Sequence, residues 1–449
     1  MHAGSGQRIQ RLIAKALAGQ PVTISIIGGS VSACHGAGDD PVAPNCYPAR
    51  FFDWWNSVFP HPATELTNGA MRRTNSGYFG YCSAHHIPDA TDLVIIELDG
   101  DDTTDPDMLE NFETLVRSIL IRPDHPAVLL LGHFNPQTHQ IYGFAGPDHA
   151  HDIVAQFYDV PHISTKPIHY PAYIHSAASI SKYFVDPVLA SPAGHKVLAD
   201  VLTAYFQSQI CTAWAVATGT SFPASPTPPL APPPNDPHAL FGGVGQRKGV
   251  PEPGAADPDL NRKHPAPRPA QQLAQAAALP PVPPGRINTR PGGSPFEEIA
   301  PYCVSANDLI NPLPPSMFYG SGWSVFHAPS SAAVDTLSTT AHYWYSALPQ
   351  SKLRIPIQVG AGDVGVYFVR EPADKVGKGS AVECWVDDNV AGAKRIENAA
   401  PPGELGEETP SLVVIDHFVS RGSHFVECVL SGEEGQGVPV FKIVGIFAT

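Results

Sequence analysis

The chain has 449 residues, enough for two or three domains, and 43% of them are apolar, enough for sizeable cores. A formal net charge of −15 excludes the basic surface that phosphate binding requires, so no nucleic-acid partner is expected. The chain opens directly into a helical pattern, with no leading apolar segment of signal or membrane length. As written it is expected to be soluble and not exported.

The first 210 or so residues alternate helix and strand signals. Gln7 to Ala18 places Ile9, Leu12, Ile13, Ala16 and Leu17 at helical spacing, and Gly19 supplies a stop. The strand Val22–Ile27 follows, then a helix rich in aromatics from Tyr47 to Phe59. Asp92–Leu98 is a near-continuous apolar run, the pattern of a strand buried on both faces. Met108–Ile121 reads as a helix, Ala127–Leu131 as a strand, His149–Tyr158 as a helix and Pro161–Ser164 as a short strand. The last helix starts at Ser191, an N-cap followed by Pro192 in the first turn. Such alternation implies a three-layer α/β/α domain around a parallel sheet, over residues 7–215.

Residues 216–295 read as a disordered, proline-rich linker. Ser221–Pro234 and Pro280–Gly285 cannot sustain helices or ladders and have polyproline spacer character. From 296 to 449 the signals are short strands between Gly, Asp and Asn turns: Leu353–Val359, Val364–Val369, Ala381–Val386, Leu412–Phe418, Phe425–Leu430 and Phe441–Ile446. These imply a β-sandwich. Of the seven cysteines, Cys34 and Cys46 suit a bridged loop, and Cys384 and Cys428 suit a tie between two strands. Trp323, Trp344 and Trp385 read as sandwich core, with a sugar-stacking platform as the alternative.

The chemistry concentrates at Gly28-Gly29-Ser30-Val31-Ser32. A buried strand stops at two glycines and presents a serine among backbone N–H groups, as a nucleophile requires. Three further segments follow in order: Asn68–Ser76, Asp99-Gly100-Asp101-Asp102, and Asp186–His195. Together the four segments resemble the blocks of the SGNH/GDSL hydrolases over residues 7–210. More narrowly, they resemble a fungal capsule-associated branch in which a β-sandwich follows the hydrolase domain. The resemblance implies a flavodoxin-like SGNH fold, a serine ester hydrolase or acyltransferase, and an O-acetylated carbohydrate as substrate. It also implies the secretory pathway or Golgi, should an upstream segment be missing.

Each block departs from the family pattern. Gly29 replaces the aspartate of Gly-Asp-Ser, and Arg73 stands near the expected oxyanion glycine. Asp101 stands where asparagine belongs in Gly-x-Asn-Asp. Leu189-Ala190 replace the His-Pro that should follow Asp186. Leucine cannot take a proton from a serine hydroxyl, and an ionised carboxylate cannot donate to an oxyanion. The expected site is therefore Ser30 with Asp186 and His195 as catalytic partners, and Gly29, Arg73, Asp101 and His133 around the oxyanion and cleft. No cofactor and no metal is expected. The run Asp99–Asp105 reads as a solvated or helix-capping loop, and His149 and His151 should face different ways. His85-His86 should hydrogen-bond or lie at the surface. The alternative function is a catalytically silent SGNH-like protein that binds glycan or scaffold partners.

Overall fold

In the computed structural model, which describes residues 2–38, 40–220, 281–290, 296–298, 300–308, 319–327, 341–403 and 408–449, the apolar pattern of the first half resolves into alternating elements. They are α1 (Gln7–Leu17), β1 (Thr23–Gly28), α2 (Tyr47–Val58), β2 (Glu65–Asn68), α3 (Ser76–Cys82), β3 (Leu93–Glu97), α4 (Pro106–Leu120), β4 (Ala127–Gly132), α5 (Pro136–Tyr142), α6 (Pro147–Tyr158), β5 (His162–Ser164), α7 (Lys166–His175) and α8 (Pro192–Ala217). The five strands pair in parallel in the order β2-β1-β3-β4-β5.

Successive residues of each central strand feed opposite layers, as a period of two demands. Ile24, Ile26, Leu93, Ile95, Leu129 and Leu131 pack with Ile9, Phe51, Trp55 and Phe206 of α1, α2 and α8. Val94, Ile96, Val128 and Leu130 pack with Phe79, Phe112, Leu115 and Val154 of α3, α4 and α6. The Ser191 hydroxyl accepts from Gly194 N–H and caps α8 as its sequence predicts. The elements of this half that sequence reasoning missed, β2, α3, α5 and α7, have four to ten residues and little apolar periodicity; α7 even carries Pro171 inside it.

The second half is antiparallel. Its strands are β6 (Tyr302–Ser305), β7 (Tyr319–Ser321), β8 (Ser324–Phe326), β9 (Tyr343–Ser346), β10 (Lys352–Val359), β11 (Val364–Arg370), β12 (Ala381–Val386), β13 (Lys394–Glu397), β14 (Thr409–Asp416), β15 (Gly422–Leu430) and β16 (Phe441–Ala448). One sheet runs β13-β12-β15-β10-β7 and the other β14-β11-β16-β9-β8, with β6 added against β16. β10 alternates exposed and buried at every position, and its inner Leu353, Ile355 and Ile357 share a core with Val366, Phe368 and Ile443. Trp344 lies in that core, Trp323 packs partly buried on it, and Trp385 is buried. None of the three forms an open platform.

Both expected disulfides are present: Cys34–Cys46 closes the loop after Ser30, and Cys384–Cys428 joins directly opposed residues of β12 and β15. A third, Cys82–Cys303, fastens α3 to β6 and thus one half of the molecule to the other. The halves share a continuous core that includes Tyr78, Phe79, Tyr367 and Val444. Tyr78 Oη bonds Ser305 Oγ at 2.7 Å, and His85 reaches Asp308 at 2.9 Å and the Cys303 carbonyl at 2.7 Å. Most of the expected linker, including Ser221–Pro234, lies outside the described residues. Its end, residues 281–290, packs on α4: Arg117 donates to the carbonyls of Pro283 and Gly285, and Ile287 N–H to Glu113. Among the described residues no helix is long and apolar enough to cross a membrane.

Candidate active site

Ser30 follows β1 at the C-terminal edge of the parallel sheet, where open α/β sheets place ligands. Its side chain is held from two directions. Arg73 N–H donates to Ser30 Oγ at 2.8 Å, and Ser30 Oγ–H points at Asp101 Oδ1 at 3.4 Å. Ser30 N–H donates to the other oxygen of the same carboxylate, Oδ2, at 3.1 Å. One carboxylate thus faces both the amide and the hydroxyl of Ser30, the hydroxyl at the outer limit of hydrogen bonding.

Arg73 sits at φ 51°, in the left-handed region that glycine favours. The backbone conformation a glycine would supply is kept, at a cost on the order of 1–2 kcal/mol, and its N–H still points at Ser30. The arginine side chain reaches the Glu408 carbonyl, so the β-sandwich walls this flank. Tyr367 of β11 does the same nearby, donating to Asn75 Oδ1 at 3.2 Å.

Gly29 has a different job from the one its position suggests. Its N–H donates to the Glu97 carbonyl and is not turned to Ser30. A Cβ at this residue would lie 1.8 Å from Asp101 Oδ2, so only a glycine admits the carboxylate.

The acidic run divides: exposed Asp105 is the expected cap, accepting from Met108 N–H at 2.9 Å at the start of α4, while the acidic residues before it are drawn inward. Asp99, Asp102 and Glu97 are buried, and Asp101 is half-buried with its carboxylate turned to Ser30. His151 bridges Asp99 Oδ1 at 2.8 Å and Asp102 Oδ2 at 2.9 Å. These two carboxylates push the imidazole up to about 9 against the cost of burial, so it is a cation at neutral pH. Burial pushes Glu97 well up, helped by Asp101 and Asp99, and Ser32 Oγ donates to it at 2.9 Å. Withdrawal of the Asp101 carboxylate from water, with Asp102 beside it, pushes it up to about 7, against the N–H and O–H of Ser30 and the charge of Arg73. His149 is exposed and His151 buried, on different sides of α6 as expected.

The other expected partners go elsewhere. Asp186 is exposed, and its Oδ1 accepts from the Val188 and Leu189 N–H groups, holding the turn that carries Leu189. Leu189 packs against the hydrophobic layer under α8. His195 is fully buried: its Nδ1 accepts from Tyr47 N–H at 3.3 Å, its ring stacks on Tyr47, and burial pushes it down to about 3. His133 Nε2–H donates to the Val188 carbonyl at 2.9 Å and tethers the same turn to β4. Ser30, Arg73 and Asp101 are thus brought together, while Asp186, His195 and His133 make no described bond to Ser30. Sequence reasoning missed His151, for which the only signal was a histidine on the buried face of a helix. Among the described residues no cluster of His, Cys, Asp and Glu could hold a metal ion.

A parallel α/β domain with a serine at its sheet edge, closed on one side by an antiparallel β-sandwich, is the architecture that this fold and site define. No family model and no curated protein sequence matches the chain. Solved structures do. A two-domain esterase active on acetylated mannans, co-crystallised with mannopentaose, superposes with a TM-score of 0.63 at 18% identity, covering 100% of this chain and 95% of that one. A second structure described as the same two-domain esterase gives 0.63, 18%, 100% and 96%. An acetylxylan esterase from Geobacillus stearothermophilus covers 41% of this chain and 94% of its own at 18% identity, with a TM-score of 0.32.

Proposed function

We propose that the protein is a serine ester hydrolase or acyltransferase that acts on O-acetylated carbohydrate through Ser30. The observation that carries the reading is the Arg73 N–H held 2.8 Å from Ser30 Oγ by a left-handed backbone. A merely structural loop has no need of that strained conformation beside a serine at the ligand-binding edge. The same N–H serves an oxyanion formed next to Oγ. The two-domain likeness to an esterase of acetylated mannans supports the substrate class. The narrower kinship with the capsule-associated branch rests on block order and the sandwich that follows. Three disulfides support an oxidising compartment.

Acetate release from acetylated mannan and acetylated xylan, native against Ser30→Ala, tests the reading. Release that vanishes in the variant supports it; equal release from both refutes it. The second reading, a silent glycan-binding protein, has its own observation: Leu189 fills the histidine position and His195 is committed to Tyr47. Retained binding of the same polysaccharides with no acetate release would favour it.

A further inference from the structure

We propose that Asp101 is the general base for Ser30, and that glycine at 29 and aspartate at 101 are one coupled change that moves the base from the last loop to the end of β3. This rests on the hydrolase reading of Ser30 and names the residue that makes it work.

Three observations on geometry carry it. Asp101 Oδ1 is the acceptor toward which Ser30 Oγ–H points at 3.4 Å, and Oδ2 accepts from the Ser30 amide at 3.1 Å, so the carboxylate lies beside the nucleophile. Gly29 creates the space: any side chain there would collide with the carboxylate. The family pattern puts aspartate at the first position and asparagine at the second; exchanging both together opens a slot and fills it with a base. Finally, the other acids and bases weighed for this role each have a partner other than Ser30. Asp99 and Asp102 hold His151, Glu97 holds Ser32, Asp186 holds the Val188 and Leu189 amides, His133 holds Val188 and His195 accepts from Tyr47.

The step balances without a histidine. Ser30 Oγ attacks the ester carbonyl carbon while its proton passes to Asp101 Oδ1, and the carbonyl π pair becomes an oxyanion facing Arg73 N–H. Collapse re-forms the carbonyl and breaks the bond to the sugar oxygen, which takes the proton from Asp101. Water then attacks the acyl-serine, gives a proton to Asp101, and Ser30 Oγ recovers it as the carboxylic acid leaves. The groups facing Asp101 are Ser30 after β1, Arg73 before α3, Asp102 in its own loop, Glu97 of β3 and Tyr367 of β11. Burial and Asp102 place the carboxyl at about 7, which is imidazole-like basicity.

The test is the rate at which a fluorophosphonate probe labels Ser30 from pH 5 to 9, in the native protein, Ser30→Ala and Asp101→Asn. The probe needs an activated nucleophile but no particular sugar. Expected is a native rate rising about tenfold per pH unit below neutrality and levelling above about 7.5, with Asp101→Asn slower by about 10²–10⁴-fold. Circular dichroism and the melting temperature of Asp101→Asn show whether the nearly isosteric variant is folded; if it is not, the native pH profile alone decides. A rate that is flat or falls with pH, or an Asp101→Asn variant as fast as native or faster, overturns the base while leaving the hydrolase reading intact. Native Ser30 unlabelled at every pH overturns both.

Discussion

Gly29→Ala is the smallest change that separates the slot from the base. An alanine Cβ would lie 1.8 Å from Asp101 Oδ2 and 2.3 Å from its Cγ, where contacts under 3.0 Å essentially never occur. The carboxylate must therefore withdraw by about 1.2 Å (3.0 − 1.8) or more. Its bonds to Ser30, 3.1 Å and 3.4 Å, are already near the limit of hydrogen bonding and do not survive such a shift. Losing hydrogen bonds to a charged group costs about 1.5–3 kcal/mol. A carboxylate displaced toward water also returns toward the ordinary acidic range, so the pH midpoint of labelling should move down from about 7. The assay is a double-mutant cycle of Gly29→Ala and Asp101→Ala, read by Ser30 labelling rate and by urea unfolding. The expected coupling is about 1.5–3 kcal/mol, with Gly29→Ala nearly silent once Asp101 is gone. Additivity within about 0.5 kcal/mol would refute the argument, because the two residues would then act independently.

Three other perturbations follow from the same geometry. Arg73→Gly keeps the N–H and suits φ 51°, so folding stability should stay within about 1 kcal/mol. Losing the positive charge beside Asp101 should move the labelling midpoint to higher pH, and an unmoved or lower midpoint would contradict the electrostatics. Cys82→Ala with Cys303→Ala removes a cross-link spanning 221 residues, worth roughly 5 kcal/mol on loop entropy, and should visibly lower the melting temperature. An unchanged melting curve would show that the shared core alone holds the halves together. His151 is raised from 6.5 to about 9 by folding, so its contribution is fully present below pH 6.5 and is lost as pH rises through about 9. That term is roughly 3 kcal/mol, and His151→Leu, which strands two buried carboxylates, should cost roughly 3–5 kcal/mol. Urea midpoints at pH 6 and pH 10 check both, and native stability equal at the two pH values would count against the clamp.

Much of the fold was legible because burial writes itself into the chain locally. β3 and β4 are apolar at nearly every position since both faces are covered, and the cap at Ser191 needs only neighbours three residues away. Residues 381–386 and 425–430 announced strands through β-branched and aromatic content, and their facing cysteines suggested the tie later seen. The short helices α5 and α7 carried no such pattern, and the Cys82–Cys303 bond joins residues whose nearness nothing local records.

The site divides in the same way. Sequence alone determined that a serine follows the end of a buried strand, and that leucine and aspartate stand at 189 and 101, because residue identity and strand termination are local properties. The exposure expected of that serine is not found, since packing leaves Ser30 only 7% exposed. Which remaining group faces that serine was decided only by the tertiary structure. His195 looked available from its place near the start of α8, yet the packing of α2 against α8 buries it on Tyr47. Asp101 looked like damage to an oxyanion hole, yet a missing side chain seventy-two residues earlier, at Gly29, leaves room for its carboxylate on Ser30. A proton moves over a few ångströms, and distances of that size between segments far apart in sequence are set by how β1, β3 and the loop before α3 pack together.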